Sequence, residues 1–327
     1  MKKKLVQSSL FLFVIFSIIF SNTTYSNDIS EIYFNVRSAI SKADDEKIKT
    51  KFKDVTFVFL PGILSETSIA DSNQPLNVSI ILGDYFRDYM NYAKEMGLKY
   101  KRIIVESEDP VSNNAAFIEA ELSKIEGDIV IISHSKGGPE FLSVIMNNTK
   151  IKNRTKGWIT MQSPFYGAYI ADVLGGGPIL GRGSRWIFDF FGGSIDGLLS
   201  ISMKQRQEFH KKHQEAIAKA MKGLRFIHYR SSIADRPLVE TPLEFTRDHI
   251  EKKYGKNDGL VELRSTHFPF GDSVIEEDVD HLTTVLDYKR LRLLPLRNRE
   301  TKNWNFNKVN HFKSLLLLLN KKNLHYL

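Results

Sequence analysis

The sequence contains no cysteine among its 327 residues. This absence excludes disulfides and lipid-modified cysteines, so the fold must be held together by its core. The sequence also has no proline- or serine-rich stretch, no low-complexity tract and no internal repeat. We therefore identify no interdomain linker, and we expect one large folded unit.

Most of the chain also lacks an excess of positive charge. The formal net charge is +8, but residues 285–327 hold ten Lys or Arg against two acidic residues, so the earlier residues together sum to zero. A nucleic-acid-binding protein would carry basic groups through its folded body. The distribution argues against nucleic acid as a partner and marks the C-terminal region as a local basic feature.

Long hydrophobic runs are scarce, and the one near the N-terminus is short. Lysines at positions 2–4 precede a nearly all-apolar stretch from Leu10 to Phe20, and small residues follow near Ser26. This order is typical of a secretory signal peptide, which we assign to residues 1–26. An uncleaved membrane anchor is the alternative, although a membrane span needs about 20 apolar residues. Export would place the mature chain in the periplasm or outside the cell.

The remaining sequence alternates short apolar segments with helical patterns. Strands are predicted at 55–60, 102–105, 129–132, 157–161 and 224–229. Helices are predicted at 29–41, 82–95, 114–125, 139–146 and 203–222. This alternation predicts an α/β fold, with a mostly parallel sheet covered by helices on both faces.

The apolar segment that starts at Asp128 ends abruptly on small residues around Ser135. A serine in such a tight strand-to-helix turn projects its hydroxyl above the sheet, where it can act as a nucleophile. Ser133 stands where the usual G-x-S-x-G pattern has its first glycine, which makes the motif less specific. The alternative is that Ser135 caps a helix that begins near Gly138 and Pro139.

A nucleophilic serine needs a base and an acid that orients the base. Of nine histidines, His281 is the best candidate base because it lies in a loop after the last predicted strand. Asp258 lies in a turn that we expect to open into a strand at 260–263. The order Ser135, Asp258, His281 is the one expected of an α/β-hydrolase. Asp235 is the alternative acid, although an aspartate before Arg-Pro is more typical of a turn.

The other histidines are less suitable by position, although His249 and His267 are not excluded. His134 should point away from Ser135 and pack or orient the turn. His210 and His213 belong to a polar helix with a solvated face, and His228 belongs to an apolar strand.

The chain resembles the α/β-hydrolase superfamily, and within it bacterial lipases and esterases. The segments that carry the likeness are 60–63, 134–138, 163–172, 257–261 and 280–282, within a region of about residues 55–285. The resemblance implies that Ser135 is the nucleophile, His281 the general base and acid, and Asp258 the orienting carboxylate. It also implies an oxyanion hole formed by the backbone N–H groups of Ile63 and Lys136.

The sequence departs from the lipase pattern at Pro61, where a histidine is usual. Because backbone groups form the oxyanion hole, the hole remains possible. The expected function is an exported serine ester hydrolase that cleaves small-molecule or lipid esters through an acyl-enzyme. A depolymerase, thioesterase or amidase with the same residues is one alternative. A binding protein made inactive by Ser133 or Pro61 is another.

We assign no cofactor and no metal from the sequence. Some bacterial lipases use calcium near the catalytic loop, but Asp272, Asp278 and Asp280 have the loose spacing of a solvated acidic turn. The predicted organisation is an α/β-hydrolase domain at 27–288, a cap insertion near 173–222 and a basic C-terminal extension at 289–327. The oligomeric state is not predicted.

Two of these regions have open alternatives. In the cap, aromatic residues cluster between glycines, which fits either a mobile cover over an acyl-binding cleft or a permanently packed cap. In the extension, the leucines at 315–319 fit either a contact with an anionic membrane surface or a terminal helix packed on the body.

Overall fold

Seven parallel strands form a single sheet in the computed structural model, which describes residues 26–63, 84–106, 109–175, 195–235, 243–286 and 305–320. Every neighbouring pair of strands is parallel, and the spatial order is β1-β7-β6-β5-β4-β2-β3. The strands are β1 (Asn27–Asp28), β2 (Val55–Leu60), β3 (Lys99–Arg102), β4 (Asp128–His134), β5 (Thr155–Met161), β6 (Phe226–Ser232) and β7 (Asp272–Glu277).

Helices cover both faces of this sheet. The described helices are α1 (Ser30–Ser38), α2 (Lys42–Phe52), α3 (Arg87–Glu95), α4 (Val111–Ser123), α5 (Gly137–Asn147), α6 (Thr149–Arg154), α7 (Tyr169–Gly175), α8 (Ile195–Leu199), α9 (Met203–Lys212), α10 (Gln214–Met221), α11 (Glu244–Tyr254) and α12 (Lys308–Asn320). The predicted α/β-hydrolase fold class, with a mostly parallel sheet, is therefore confirmed.

Alternate residues of the central strands enter two separate cores. Phe57 and Phe59 of β2 pack into the core beneath α1, α3 and α12, whereas Val58 and Leu60 pack into the core beneath α4, α5 and α10. Successive side chains of a strand point to opposite faces, so both faces of a central parallel strand must be apolar. This requirement explains why β2 and β4 appear in the sequence as continuous apolar runs.

The strand order reverses between β2 and β4. After β2 the chain moves outward to β3, returns through α4 to β4 on the other side of β2, and then continues to β5, β6 and β7. In an open α/β sheet, ligands bind at the carboxyl ends of the strands where the order reverses. The segments after Leu60 and His134 therefore meet at the expected position of a site.

Several element boundaries differ from the predictions. The strand predicted at 102–105 lies at Lys99–Arg102, because this edge strand is polar and gives no apolar signal. The helix predicted at 203–222 is divided at His213 into α9 and α10. The strand expected at 260–263 was wrong, because the Asp258 carboxylate accepts hydrogen bonds from the next N–H groups and forms a turn. Strands β1 and β7 and helices α2, α6, α7, α8 and α11 were not predicted.

The C-terminal helix α12, which lies within the basic C-terminal extension, is part of the main core. Phe312, Leu315, Leu316, Leu318 and Leu319 are all buried. A Cβ atom at Gly157 of β5 would come within 2.5 Å of Leu319, so the helix lies directly on the sheet. The packed-helix alternative describes this segment, and these buried leucines are not available to a membrane surface.

Polar contacts also connect α12 to the body of the protein. The Tyr33 hydroxyl of α1 lies 2.6 Å from His311 Nδ1, and Lys313 forms an ion pair of 2.6 Å with Asp45 of α2. Burial lowers the pKa of His311 well below its usual value, so its ring is neutral. The helix thus contributes apolar packing and buried hydrogen bonds at once.

Some sequence predictions fall outside the described residues. These are the signal peptide, apart from Ser26, and the glycine- and aromatic-rich centre of the predicted cap at 176–194. The described part of the cap region consists of the end of α7 and helices α8, α9 and α10. Within the described ranges, none of the helices combines the length and apolar content that crossing a bilayer requires.

The burial of α12 predicts the effect of two neighbouring substitutions. Leu316→Ala should lower the free energy of unfolding by about 2–5 kcal/mol, because Leu316 is fully buried in the core. Leu317→Ala, at a half-buried position of the same helix, should lower it by about 1 kcal/mol or less. Urea unfolding followed by circular dichroism measures both. Equal and small effects would show that α12 does not contribute to the core.

Candidate active site

Ser135 stands in a strained turn between β4 and α5. Its φ is 52°, a left-handed value that non-glycine residues rarely adopt, and its N–H donates to the Met161 carbonyl at 3.0 Å. Strain of this kind costs about 1–3 kcal/mol and is concentrated at functional sites. Helix α5 has no side-chain hydrogen bond at its start, so the helix-cap alternative for Ser135 does not describe this turn.

The loop after β2 lies directly against Ser135. A Cβ atom at Gly62 would lie 2.5 Å from Ser135 Cβ and 3.2 Å from its Oγ, and a Cβ at Gly137 would lie 2.6 Å from the Leu60 carbonyl oxygen. Only glycine fits at these two positions without a shift of the backbone. The sequence Pro61-Gly62-Ile63 is thereby held beside the hydroxyl, at the place where an oxyanion hole would form.

Ser133, which replaces the usual glycine, is accommodated by hydrogen bonds. It is fully buried, its hydroxyl donates to Thr160 Oγ1 at 2.9 Å, and it accepts from the Trp158 indole N–H at 2.9 Å. A buried hydroxyl with both a donor and an acceptor partner carries little penalty. The local fold therefore gives no reason to regard Ser133 as damaging to the turn.

Asp258 and His281 are 23 positions apart in the sequence, and their side chains are in contact in the fold. The Asp258 Oδ2 atom lies 2.8 Å from His281 Nδ1, and the His281 N–H donates to the Asp258 carbonyl at 2.8 Å. The other carboxylate oxygen accepts from the N–H groups of Leu260 and Val261 at 3.0 and 2.8 Å. Because a carboxylate only accepts hydrogen bonds, the proton of His281 lies on Nδ1 and Nε2 carries the free lone pair.

A second carboxyl group lies near this pair. Glu262 is fully buried, and one of its oxygens accepts from the Tyr169 N–H at 3.0 Å. Burial, with a smaller contribution from the neighbouring Asp258 carboxylate, raises the pKa of Glu262 to about 7. Below pH 7 this group is therefore mainly neutral and adds little charge beside Asp258.

His134 connects three parts of the site from a fully buried position. Its Nε2 lies 2.9 Å from the His281 carbonyl oxygen, so this nitrogen carries the proton and donates. Its Nδ1 then accepts from the Tyr85 hydroxyl at 2.5 Å, and that hydroxyl accepts from the Gly62 N–H at 3.2 Å. Burial, followed by the nearby His281, lowers the pKa of His134 well below its usual value, so the ring remains neutral.

Gln162 fixes the same loop from the other side. It is buried with φ at 51°, and its amide nitrogen donates to the Asp280 carbonyl at 2.8 Å. Its amide oxygen accepts from Thr284 Oγ1 at 2.9 Å and lies 3.2 Å from His134 Nε2. The loop that carries His281 is thus held at the residues before it and after it.

Sequence reasoning did not find the roles of Tyr85 and Gln162. Gln162 immediately follows β5, and its position at the carboxyl end of a strand is the one signal that could have identified it. Tyr85 lies before α3 and carries no motif. His134 was expected to orient the turn, and the structure adds its contact with the backbone of His281.

The other histidines and the alternative acid Asp235 make different contacts. The Asp235 side chain is 86% exposed and forms an ion pair with Arg247 at 2.9 Å. His249 stacks on Tyr169, and His267 lies beside His228. His210 is buried and stacks on Tyr166, so its assignment to a solvated face was wrong.

The acidic residues near His281 include one that is buried, contrary to the prediction of a solvated turn. Asp280 is fully buried and accepts hydrogen bonds from the N–H groups of Leu282 and Thr283, both at 2.9 Å. Elsewhere in the described chain, Asp235, Glu244 and Asp248 are close enough to share a metal ion, but the Arg247 guanidinium pairs with all three. Arg247 already supplies the positive charge there.

Comparison with solved structures identifies the fold of the chain. No protein-family model and no curated protein sequence matches it. The structure of a metagenomic carboxyl esterase, MGS0156, matches with a TM-score of 0.64 and 18% identity over 82% of this chain and 76% of that one. The mature lipase BlEst2 of Bacillus licheniformis matches with a TM-score of 0.56 and 18% identity over 70% and 86%. The chain therefore has the α/β-hydrolase fold and is similar in structure to this esterase and this lipase.

Proposed function

We propose that the protein is a serine ester hydrolase that uses Ser135, His281 and Asp258 as a catalytic triad. The observation that carries the proposal is the 2.8 Å hydrogen bond between Asp258 and His281, together with the left-handed turn at Ser135. The rings of His134 and His281 lie 4.6 Å apart, so the loop of the base lies beside the residue that precedes the nucleophile. An ordered Asp–His pair next to a strained serine turn is the arrangement that activates a hydroxyl.

The first half of the proposed reaction forms an acyl-enzyme. Ser135 Oγ attacks the ester carbonyl carbon while His281 Nε2 accepts the hydroxyl proton. The carbonyl oxygen becomes negatively charged and accepts hydrogen bonds from the N–H groups of Ile63 and Lys136. When the intermediate collapses, the C–O bond to the alcohol breaks, and His281 returns the proton to the departing alkoxide.

The second half releases the acid. Water attacks the acyl carbon, His281 accepts one of its protons, and the bond to Ser135 Oγ breaks as that oxygen recovers the proton. Asp258 stabilises the imidazolium of His281 in both halves without itself becoming protonated. The products are one alcohol and one carboxylic acid.

The substrate class is a carboxylic ester, either a small molecule or a lipid. The matched carboxyl esterase and lipase support an ester in preference to an amide or a thioester. A depolymerase, thioesterase or amidase would use the same residues. We further propose that the N-terminal segment directs export, on the basis of its basic start and short apolar stretch.

Replacement of the nucleophile gives the most direct test. Ser135→Ala should abolish labelling by a fluorophosphonate probe and lower kcat on p-nitrophenyl esters by about 10⁴-fold or more, because no hydroxyl remains to be acylated. Ser123→Ala, at an exposed serine of α4, is the matched control and should behave as wild type. A panel of chain lengths on wild type measures the preferred acyl group. A wild-type protein that neither labels nor hydrolyses any ester would support the inactive binding protein.

The two candidate acids can be separated by paired substitutions. Asp258→Asn should lower kcat by about 10⁴-fold with little change in KM, because an amide no longer holds His281 in the required tautomer. Asp235→Asn should leave kcat within about twofold, since Asp235 is exposed and contacts Arg247. Steady-state kinetics on one p-nitrophenyl ester measures both. Full activity of Asp258→Asn would rule out Asp258 as the orienting acid.

Removal of the Tyr85 hydroxyl tests the hydrogen-bond connection from Gly62 through His134 to the loop of His281. Tyr85→Phe should lower kcat by about tenfold, which is a rise of about 1.4 kcal/mol in the activation free energy, while KM stays near its original value. The reason is that Gly62 and His134 both lose a buried partner. Tyr92→Phe, which removes a hydroxyl bonded to Asp45, is the control for general loss of stability. Equal effects of the two variants on kcat would remove the positioning role of Tyr85.

A further inference from the structure

A groove of about 490 Å³ lies between α4, α5, α9 and α10, and it does not include the proposed triad. Its walls combine polar side chains with apolar ones, which include Val111 and Ala115 from α4, Val144 from α5, and Phe209 from α9. A volume of this size is within the range of small-molecule sites, which combine apolar walls with a few polar groups. The polar group of interest here is Arg206.

Arg206 is a buried cation without an ionic partner. The residue is 3% exposed and lines the groove, yet it forms no ion pair within the described ranges, and its Nη2 atom is buried without a hydrogen-bond partner. Its Nε donates to the Phe165 carbonyl at 3.3 Å, and its guanidinium lies 4.3 Å from the centre of the Phe209 ring. Burial alone lowers the pKa of Arg206 to about 10, so the side chain is still charged at neutral pH.

The contacts of Arg206 within the protein do not account for its burial. An unpaired buried charge is strongly unfavourable, and replacement by an apolar residue of similar shape is often neutral or stabilising. The Phe165 carbonyl also accepts a hydrogen bond from His210, so the contact with Arg206 is not its only partner. The missing component is a negative charge, which a bound molecule would supply.

The residues that line the groove indicate which class of molecule it would bind. An apolar body is needed to contact Val111, Val144 and Phe209, while one anionic group pairs with Arg206. Glu119 also lines the groove, and its carboxylate accepts from Asn148 at 2.8 Å. The negative charge of Glu119 would repel a bound dianion such as phosphate more strongly than a monoanion. We propose that the groove binds an organic monocarboxylate with a short apolar body, through a charge-assisted hydrogen bond to Arg206.

This proposal does not depend on the proposed hydrolase activity. The carboxylate could be the acid that ester cleavage releases or an unrelated metabolite, and both have the same chemistry. Binding to Ser135→Ala, compared with wild type, separates the two proposals, because the groove contains no member of the triad. Loss of esterase activity therefore leaves the binding test intact.

The test is isothermal titration of the full chain with hexanoate, hexanol and inorganic phosphate. Hexanoate should bind at least about tenfold more tightly than hexanol, a difference of about 1.4 kcal/mol from the charged group, and phosphate should bind more weakly than hexanoate. Arg206→Met should lower the affinity for hexanoate by at least about tenfold, and Arg206→Lys should retain part of it. Lys211→Met, which removes the same charge from an exposed position of α9, is the control and should bind as wild type.

The Tm measured without ligand distinguishes a ligand-binding role of Arg206 from a role in stabilising the fold. Arg206→Met should have a Tm equal to or above that of wild type, because the substitution removes an unpaired buried charge. Hexanoate should raise the Tm of wild type and of Lys211→Met but not that of Arg206→Met. The proposal is overturned by a lower Tm for Arg206→Met, by equal binding of hexanoate and hexanol, or by unchanged hexanoate binding in Arg206→Met.

Discussion

The structure of the site depends on one close approach between two strand ends. The loop after β2 passes so near the turn after β4 that Gly62 has no room for a side chain beside Ser135. This contact exists because β2 and β4 are hydrogen-bonded neighbours in a parallel sheet, with Leu60 paired to Ser133. The position of the candidate oxyanion loop is therefore set by the register of the sheet, which in turn depends on apolar residues that fill two cores.

The loop that carries His281 is positioned by buried hydrogen bonds instead of by the sheet. His134 and Gln162 both donate to backbone carbonyls of this loop, and Asp258 accepts from the side chain and backbone of His281. These groups are all buried, so any unsatisfied partner would carry a large desolvation penalty. His134 also reaches Gly62 through Tyr85, which makes the two loops parts of one network.

The sequence predicted those parts of the fold that leave a periodic or local signal. The apolar strands β2 and β4 were predicted because both of their faces are buried, and Ser135 was identified from the small residues that a tight turn requires. Strand β3 was displaced and α2 was missed, because an edge strand and a charged surface helix have weak apolar patterns. Helix α12 was treated as an extension because its lysines dominated its composition, although its leucines fill the main core.

Long-range contacts account for what the sequence could not reveal. Nothing local to Tyr85 or Gln162 indicates that their side chains meet His134, since these contacts join residues 49 and 28 positions apart. The same limit applies to Arg206, whose position on a polar helix resembles that of any solvated basic residue. The contrast between the two regions is informative, because the polar contacts of His134, Tyr85 and Gln162 are paired within the protein, whereas Arg206 has a buried nitrogen without a partner. Arg206 also forms no ion pair within the described ranges, and the proposed carboxylate would supply the negative half of that interaction.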